Sequence, residues 1–247
     1  MRIEKLGALD ARIAGGTDRE GGGDGPVIVL LHGFGAPGDD LAQLWRVLDV
    51  PAGTRFVFPA APLELAYAHG MGDARAWWMI DMVALDRAVR EGRFRDLGKD
   101  VPEGLDDARA KVIGLLDAVE ERLRPPPGKV LLGGFSQGAM LALDVALHDP
   151  RPLAGLALWS TTFLAEEVWS PRMSARAGLP VLQSHGTADP LLPFAVAEKL
   201  RDALMSAGME VDFVPFRGGH EIPPTVLQRF GALAQRVLAP PAGVLAP

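Results

Sequence analysis

The sequence predicts a three-layer α/β/α sandwich with a mostly parallel central sheet, and two observations carry this prediction. Short apolar runs alternate along the chain with longer segments of helical spacing. The first long apolar run, Val27–Leu31, contains no polar residue. Strands of a parallel sheet are buried on both faces and therefore read as continuous apolar runs. A composition that is 48% hydrophobic supplies the large core that such a sheet needs.

The other elements follow from the same patterns in chain order. Residues 3–14 alternate loosely between apolar and polar side chains and predict one or two edge strands. Further apolar runs predict strands over 54–58, 129–133, 153–158, 179–184 and 211–215. Apolar residues at helical spacing predict helices over 41–48, 105–123, 139–147, 194–205 and 225–238.

The length of 247 residues fits one large domain, which we predict to span residues 1–238. Residues 239–247, rich in alanine and proline, predict a flexible tail. The stretch 70–105 is longer than a simple strand-to-helix connection, and we expect it to form a lid or a pocket wall.

Charge and composition exclude several classes of protein. The net charge of −6 gives no basic surface for nucleic acid, and Val27–Leu31 is far too short for membrane insertion. The lack of cysteine excludes disulfides, thiolate metal sites and a cysteine nucleophile. Residues 1–5 carry charges where a signal segment would be apolar, so we expect a cytoplasmic protein. The apolar residues expected at the surface are scattered and define no interface, so the sequence does not decide whether the protein forms a homodimer.

The most informative motif is Gly134-Phe135-Ser136-Gln137-Gly138, a G-x-S-x-G pentapeptide between a predicted strand and a predicted helix. This context predicts a sharp, strained turn that lifts the Ser136 hydroxyl out of the sheet. The two glycines leave room for the turn, and the start of the helix offers backbone N–H groups to an oxyanion. Ser136 is therefore the candidate nucleophile.

A serine hydroxyl needs a histidine to take its proton and a carboxylate to orient that histidine. In this topology the order along the chain is serine, acid, histidine. His220 lies in a glycine-flanked loop after the predicted strand 211–215 and is the candidate base. Asp189 follows the predicted strand 179–184 and is the candidate acid.

Four other residues are weaker candidates for the base or the acid. His148 lies at the far end of the helix that begins at Ser136, about 18 Å away, and suits a helix C-terminus. His185, at the end of a strand, stays open as an alternative base or a pocket residue. Asp144 lies inside the same helix as His148, and Asp212 lies at the wrong end of its strand.

An oxyanion hole needs two backbone donors. We assign one to the N–H of Gln137 and the other to Phe34, which lies in the glycine-containing loop after the first buried strand. Trp77 and Trp78 are adjacent and cannot both face the same way, so we expect one ring in the core and Trp78 in the pocket wall. Phe163 is a further candidate for that wall.

Two other motifs resemble a nucleotide-binding pattern and a zinc-binding pattern. Residues 33–38 match G-x-G-x-x-G, but Pro37 lacks an N–H for phosphate and no acidic residue ends the second strand. His220 and Glu221 begin like a zinc motif, but Pro224 blocks the helix that this motif requires. We therefore predict no metal and no cofactor.

Five stretches together resemble the α/β-hydrolase fold and, within it, the phospholipase/carboxylesterase family that includes the acyl-protein thioesterases. These stretches are residues 31–35, 75–78, 133–139, 185–193 and 218–222. The resemblance implies a triad of Ser136, Asp189 and His220. It also implies Phe34 and Gln137 as oxyanion donors, and Leu191 as part of the acyl pocket.

The predicted function is a serine carboxylesterase that hydrolyses short- to medium-chain esters through an acyl-enzyme. Short chains are expected because Phe34, Trp78 and Phe163 would make a bulky pocket. The alternative within the class is a lysophospholipase or an acyl-protein thioesterase. A non-catalytic binding module of the same fold is a remoter alternative, because such proteins usually lose part of the triad.

Overall fold

A computed structural model of the chain describes residues 1–65, 73–81, 83–84, 87, 90–91, 98–99 and 101–239. Part of the predicted lid over 70–105, and all of the predicted tail except Ala239, lie outside the described residues. The strands are β1 (Arg2–Leu6), β2 (Leu9–Gly16), β3 (Glu20–Gly22), β4 (Val27–Leu31), β5 (Arg55–Pro59), β6 (Leu63–Glu64), β7 (Arg75–Ala76), β8 (Val130–Phe135), β9 (Gly155–Trp159), β10 (Pro180–Gly186) and β11 (Glu210–Phe216).

Helices connect these strands along the chain, and a last helix follows β11. Those that the described residues define from end to end are α1 (Leu105–Arg122), α2 (Gln137–His148), α3 (Glu166–Met173), α4 (Phe194–Ser206) and α5 (Pro224–Leu238), with 3₁₀ turns at Asp40–Arg46 and Ser174–Arg176. The predicted helix over 41–48 is thus a 3₁₀ turn, while the other predicted helices and strands agree with the structure to within two residues at most ends.

Among the described residues, one sheet of nine strands has the order β1-β2-β5-β4-β8-β9-β10-β11, with β3 paired to β2. Every pair from β5 to β11 along this order is parallel, whereas β2 is antiparallel to both β1 and β5. The short strands β6 and β7 form a separate antiparallel pair. The mostly parallel sheet that the apolar runs predicted is confirmed.

Both faces of the sheet are covered, which explains the continuous apolar runs. In β4 the side chains of Val27, Val29 and Leu31 belong to one core, and those of Ile28 and Leu30 belong to the other. The first core also contains residues of α1, α2 and α4, and the second contains residues of α5 and of the first 3₁₀ turn. Three layers result, as predicted.

The helix α3 is absent from the sequence-based prediction because its sequence carries little helical pattern. Only Trp169 and Met173 of its eight residues are buried, and Pro171 lies within it. Proline inside a helix removes one backbone hydrogen bond and normally ends the helix. Burial of the Trp169 indole, rather than the helix propensity of the sequence, therefore stabilises this helix.

A buried carboxylate ties three helices together. Asp144 lies in α2 with its side chain fully buried. Its Oδ2 accepts a hydrogen bond from Nη1 of Arg109 in α1 at 2.9 Å, and its Oδ1 accepts one from the indole N–H of Trp169 in α3 at 2.8 Å. Removing the carboxylate would leave Nη1 of the partly buried Arg109 guanidinium, whose Nη2 still pairs with Asp106, and the buried Trp169 N–H without their acceptor.

We expect Asp144→Ala to lower the free energy of unfolding by about 3 kcal/mol, because one partner of a buried ion pair is lost. Asp212→Ala is the matched control, since Asp212 pairs with Arg229 at the surface. It should cost less than about 1 kcal/mol. Urea denaturation measures both values, and an equal loss in the two variants would contradict the role given to Asp144.

Candidate active site

Ser136 forms the turn between β8 and α2 with a φ of +53° and a ψ of −118°. This positive φ is a strained conformation for a residue with a side chain. The turn depends on its flanking glycines. A Cβ on Gly138 would lie 2.1 Å from the carbonyl oxygen of Leu31, and a Cβ on Gly134 would lie 2.6 Å from the same atom. Neither position has room for any other residue.

Loops at the carboxyl ends of three parallel strands lie next to this turn. The loop after β4 holds His32, Gly33 and Phe34, and a Cβ on Gly33 would lie 3.5 Å from the Ser136 Cβ. The loops after β10 and β11 hold Asp189 and His220. In a parallel sheet all these ends meet at one edge, which is where α/β proteins build their sites.

Asp189 and His220 are directly hydrogen-bonded. The distance from His220 Nδ1 to Asp189 Oδ2 is 2.7 Å. A carboxylate only accepts, so Nδ1 carries the hydrogen, and Nε2 of the neutral ring is free to accept a proton. Asp189 Oδ1 accepts the backbone N–H groups of Leu191 and Leu192 at 2.8 and 3.0 Å.

These bonds keep the acid ionised. Burial acts to raise the pKa of Asp189, but the hydrogen bond from His220 and those from Leu191 and Leu192 outweigh it. The pKa therefore lies below its usual value. A carboxylate that stays charged can hold the His220 ring in one orientation and stabilise its protonated form.

The acid loop and the base loop support each other through close backbone contacts. A Cβ on Gly186 would lie 2.1 Å from the carbonyl oxygen of Gly219. The N–H of Ala188 donates to the carbonyl of Gly218 at 3.0 Å, and that of Thr187 donates to Phe216 at 2.8 Å. These contacts fix the relative positions of the two loops and explain why residue 186 is a glycine.

Ser136 and His220 line a cavity of about 640 Å³. The predicted oxyanion donors Phe34 and Gln137 and the predicted pocket residues Trp78 and Leu191 also line it. Met140 and Leu164, which sequence reasoning missed, add to its apolar wall. A helix pattern such as that of α2 identifies Met140 as buried, but it does not show that the side chain borders a cavity.

Phe163 lies behind this wall rather than on it. Its side chain is 1% exposed, and its ring stacks on that of Trp169 at a centroid distance of 6.3 Å. The neighbouring Leu164 takes the position in the wall that the sequence-based prediction gave to Phe163.

The two rival histidines lie elsewhere. Nδ1 of His148 bonds to the carbonyl oxygen of Asp144 at 2.8 Å, at the end of α2. His185 is fully buried, and its Nε2 donates to the carbonyl of Leu192 at 2.9 Å and lies 3.4 Å from Asp189 Oδ2. Burial lowers the pKa of His185. His185 therefore supports the acid loop from behind, outside the cavity.

His32 is a further buried histidine, in the loop after β4. Its Nδ1 donates to the Gly33 carbonyl at 2.8 Å, and its Nε2 accepts the Ala61 N–H at 3.0 Å. An acceptor nitrogen cannot carry a hydrogen, so this arrangement requires the neutral ring. Burial lowers the pKa of His32, and the hydrogen bond to Gly33 opposes this only in part.

Two other properties bear on function. Among the helices of the described ranges, none combines the length and the apolar character needed to cross a bilayer. In the same part of the chain, no three or more His, Asp or Glu side chains are grouped as they would be around a metal ion. Glu221 follows His220 in a loop, and α5 begins only at Pro224.

A family model, curated relatives and a solved structure all show similarity to the same group of hydrolases. Residues 19–233 match the model of a family described as phospholipase/carboxylesterase. Acyl-protein thioesterase 1 of Kluyveromyces lactis is 31% identical over 78% of this chain and 82% of its own length. Acyl-protein thioesterase 1 of Mycosarcoma maydis is 28% identical over 85% of this chain and 90% of its own. The crystal structure of esterase PE8 superposes with a TM-score of 0.76 at 26% identity, covering 93% of this chain and 99% of that one.

We expect Gly138→Ala to destabilise the protein by several kcal/mol, because its Cβ would overlap the Leu31 carbonyl oxygen. Gly114→Ala in α1 is the matched control, since a Cβ there meets nothing within 4 Å. It should be neutral or stabilise the protein by about 1 kcal/mol. Thermal denaturation of both variants measures the difference, and a Gly138→Ala variant as stable as the control would contradict the crowded turn.

We expect His32 to make the protein less stable in mild acid. A lowered folded-state pKa means that the unfolded chain binds a proton that the folded chain does not. Stability is then complete above the unfolded pKa of about 6.5 and falls with pH towards the folded pKa. The slope contributed is at most about 1.4 kcal/mol per pH unit. Urea denaturation between about pH 7 and 5 should show a shallower slope for His32→Gln, and equal slopes would contradict the neutral ring.

Proposed function

The chain belongs to the phospholipase/carboxylesterase family and is a hydrolase with the α/β-hydrolase fold, as its motifs predicted; from its active-site geometry we propose that it is a serine carboxylesterase. The proposed substrates are short- to medium-chain carboxylic esters. The observation that carries this proposal is the 2.7 Å hydrogen bond between His220 and Asp189, next to a strained Ser136 on the wall of one apolar cavity.

In the proposed reaction Ser136 Oγ attacks the ester carbonyl while Nε2 of His220 takes its proton. Asp189 holds the ring by its Nδ1–H and stabilises the imidazolium. His220 then gives the proton to the leaving alcohol as the carbon–oxygen bond breaks, which leaves an acyl-enzyme. A water molecule, deprotonated by His220, attacks this acyl-enzyme and releases the carboxylic acid and Ser136.

The negative charge that develops on the carbonyl oxygen requires donors already in place. We propose the backbone N–H groups of Gln137 and Phe34. Gln137 is the first residue of α2, where N–H groups have no intrahelical partner and the helix dipole favours an anion. Phe34 lies in the loop that packs against Ser136 and lines the same cavity.

The cavity supports a substrate of small-molecule size. Its volume of about 640 Å³ falls within the range of roughly 300 to 1,000 Å³ typical of small-molecule pockets. Apolar side chains such as Trp78, Met140 and Leu164 suit the hydrocarbon part of an acyl group. Burying each methylene of that group contributes about 0.8 kcal/mol to binding.

An acyl-protein thioesterase is the second candidate, and a specific observation favours it. Relatives named acyl-protein thioesterase 1 match 78% and 85% of this chain. The same triad serves a thioester, because the attack on the carbonyl is unchanged and a thiolate leaves more readily than an alkoxide. Such an enzyme would favour long acyl chains and a peptide leaving group.

We expect hydrolysis of p-nitrophenyl esters with a maximum of kcat/KM at short or medium acyl chains in a series from acetate to palmitate. Ser136→Ala should lower kcat by at least about 1,000-fold, because the nucleophile is lost. Asp189→Asn should cause a loss of similar size, because the amide no longer stabilises the imidazolium or fixes its tautomer.

The control for substrate class is an S-palmitoyl peptide compared with p-nitrophenyl palmitate. A rate that rises with chain length and is highest on the thioester would replace the esterase proposal with the thioesterase. Hydrolysis that survives Ser136→Ala in the purified protein would contradict both. A folded protein without activity on any of these substrates would favour a binding module.

A further inference from the structure

The side chain of Gln137 is fully buried, and both ends of its carboxamide are hydrogen-bonded. Its Oε1 accepts the backbone N–H of Trp77 at 3.0 Å, and its Nε2 donates to the carbonyl oxygen of Trp78 at 2.8 Å. Only one orientation of the amide satisfies both bonds, since oxygen accepts and nitrogen donates. The side chain therefore holds the backbone of two successive residues, Trp77 and Trp78, which lie far away in sequence.

The stretch that contains Trp77 and Trp78 is also hydrogen-bonded to the loop that holds Phe34. The indole N–H of Trp77 donates to the carbonyl of His32 at 2.9 Å. The N–H of Gly35 donates to the carbonyl of Arg75 at 2.8 Å, and the N–H of Arg75 donates to Ala36 at 3.0 Å. These bonds anchor the loop both before and after Phe34.

We propose that residues 74–78, called here the bridge segment, set the geometry of the oxyanion hole, and that the Gln137 carboxamide is the positioning residue that anchors this segment to α2. This inference rests on the proposed function, in which the N–H groups of Gln137 and Phe34 are the two donors. One donor lies on each side of the bridge segment. Gln137 thus has two separable roles, one for its backbone and one for its side chain.

The physical reason is that the two donors come from different elements. Gln137 belongs to α2, whereas Phe34 belongs to the loop after β4, and two donors act together only when their separation is fixed. Catalytic groups must be held to within about 0.5 Å of the productive geometry. The bridge segment supplies a chain of hydrogen bonds from the Gln137 side chain, through Trp77, to the carbonyl of His32.

The segment also belongs to the cavity, because Trp78 lines it while Trp77 is buried in the core. The two hydrogen bonds of the carboxamide go to the backbone of these residues, so the carboxamide acts through them and does not need to contact the substrate. Its loss should therefore affect the transition state, where the oxyanion forms, more than the binding of the neutral ester.

The test is Gln137→Met, which keeps the backbone N–H and the approximate volume but removes both side-chain bonds. With p-nitrophenyl butyrate as substrate, we expect kcat to fall about tenfold and KM to change by less than about twofold. Should Met prevent folding, Gln137→Glu keeps an oxygen for the Trp77 N–H and loses the donor to Trp78. It should likewise lower kcat.

The matched control is Gln183→Met. Gln183 is a fully buried glutamine on β10 whose Nε2 donates to the carbonyl of Ala197 at 2.8 Å. It loses one hydrogen bond of the same kind away from the cavity, so it should leave kcat unchanged, whatever its effect on the melting temperature. A merely structural role for Gln137 would give the same pattern as this control.

Coupling to Trp77 provides the second readout. Trp77→Phe removes the indole N–H that holds His32 but keeps the backbone N–H that Gln137 binds. If both residues act through the bridge segment, the double variant should lose no more kcat than the more impaired single variant. Independent effects would multiply.

The outcomes separate this inference from the function on which it rests. Wild-type enzyme without Ser136-dependent hydrolysis would remove the proposed function and this inference with it. Active wild-type enzyme with an unchanged kcat in folded Gln137→Met, or with multiplying effects of Gln137→Met and Trp77→Phe, would overturn the inference alone. A drop in kcat with coupled effects supports it.

Discussion

The carbonyl oxygen of Leu31, at the end of β4, lies where the Cβ atoms of two glycines would otherwise be. Gly134 and Gly138 would each place a Cβ within 2.6 Å of this oxygen. Because they have none, the end of β8 and the start of α2 can pack directly against the end of β4. Ser136 is left at the apex of the turn with its positive φ, and the loop that holds Phe34 starts immediately beside it. The turn at Ser136 and the adjacent position of the Phe34 loop are therefore both consequences of one backbone contact.

The rest of the site follows from the direction of the strands. Since β4, β8, β10 and β11 are parallel, the loops that follow them leave the sheet at one edge. The Asp189 and His220 loops come from adjacent strands, and Gly186 allows their backbones to touch. Neither residue needs a long insertion to reach the other. The backbone contacts between these two loops also explain how the loop after β11 can hold His220 in one orientation.

Much of this could be predicted from the sequence, because the signals are local. The apolar run of β4 and the periodic pattern of α1 reflect burial of the element itself. The order of Ser136, Asp189 and His220 follows from topology once the G-x-S-x-G turn is placed. The catalytic roles of these residues stay a prediction, but their convergence at one edge of the sheet is a property of the fold.

What the sequence did not predict depends on partners far away along the chain. The carboxamide of Gln137 meets Trp77, 60 residues earlier, and His32 meets Ala61, 29 residues later. Nothing in a local pattern encodes such a pair. The helix α3 was missed because Trp169 holds it through Asp144 in α2, and Phe163 was misplaced because its contact is that same Trp169. In each case a tertiary contact decided the outcome.

The cavity wall divides into a fixed part and an exposed part, and this division bears on the choice of substrate. Trp78 is anchored through its carbonyl to Gln137, and Met140 projects from α2 itself, so both are rigidly placed with respect to Ser136. Met79 and Leu191 are 62% and 37% exposed and lie where the cavity opens to solvent. The fixed residues therefore keep the same shape beside Ser136 whichever molecule enters the cavity. Under the proposed function, discrimination between short and long acyl chains would fall to the exposed part, where a longer chain gains or lacks apolar contact.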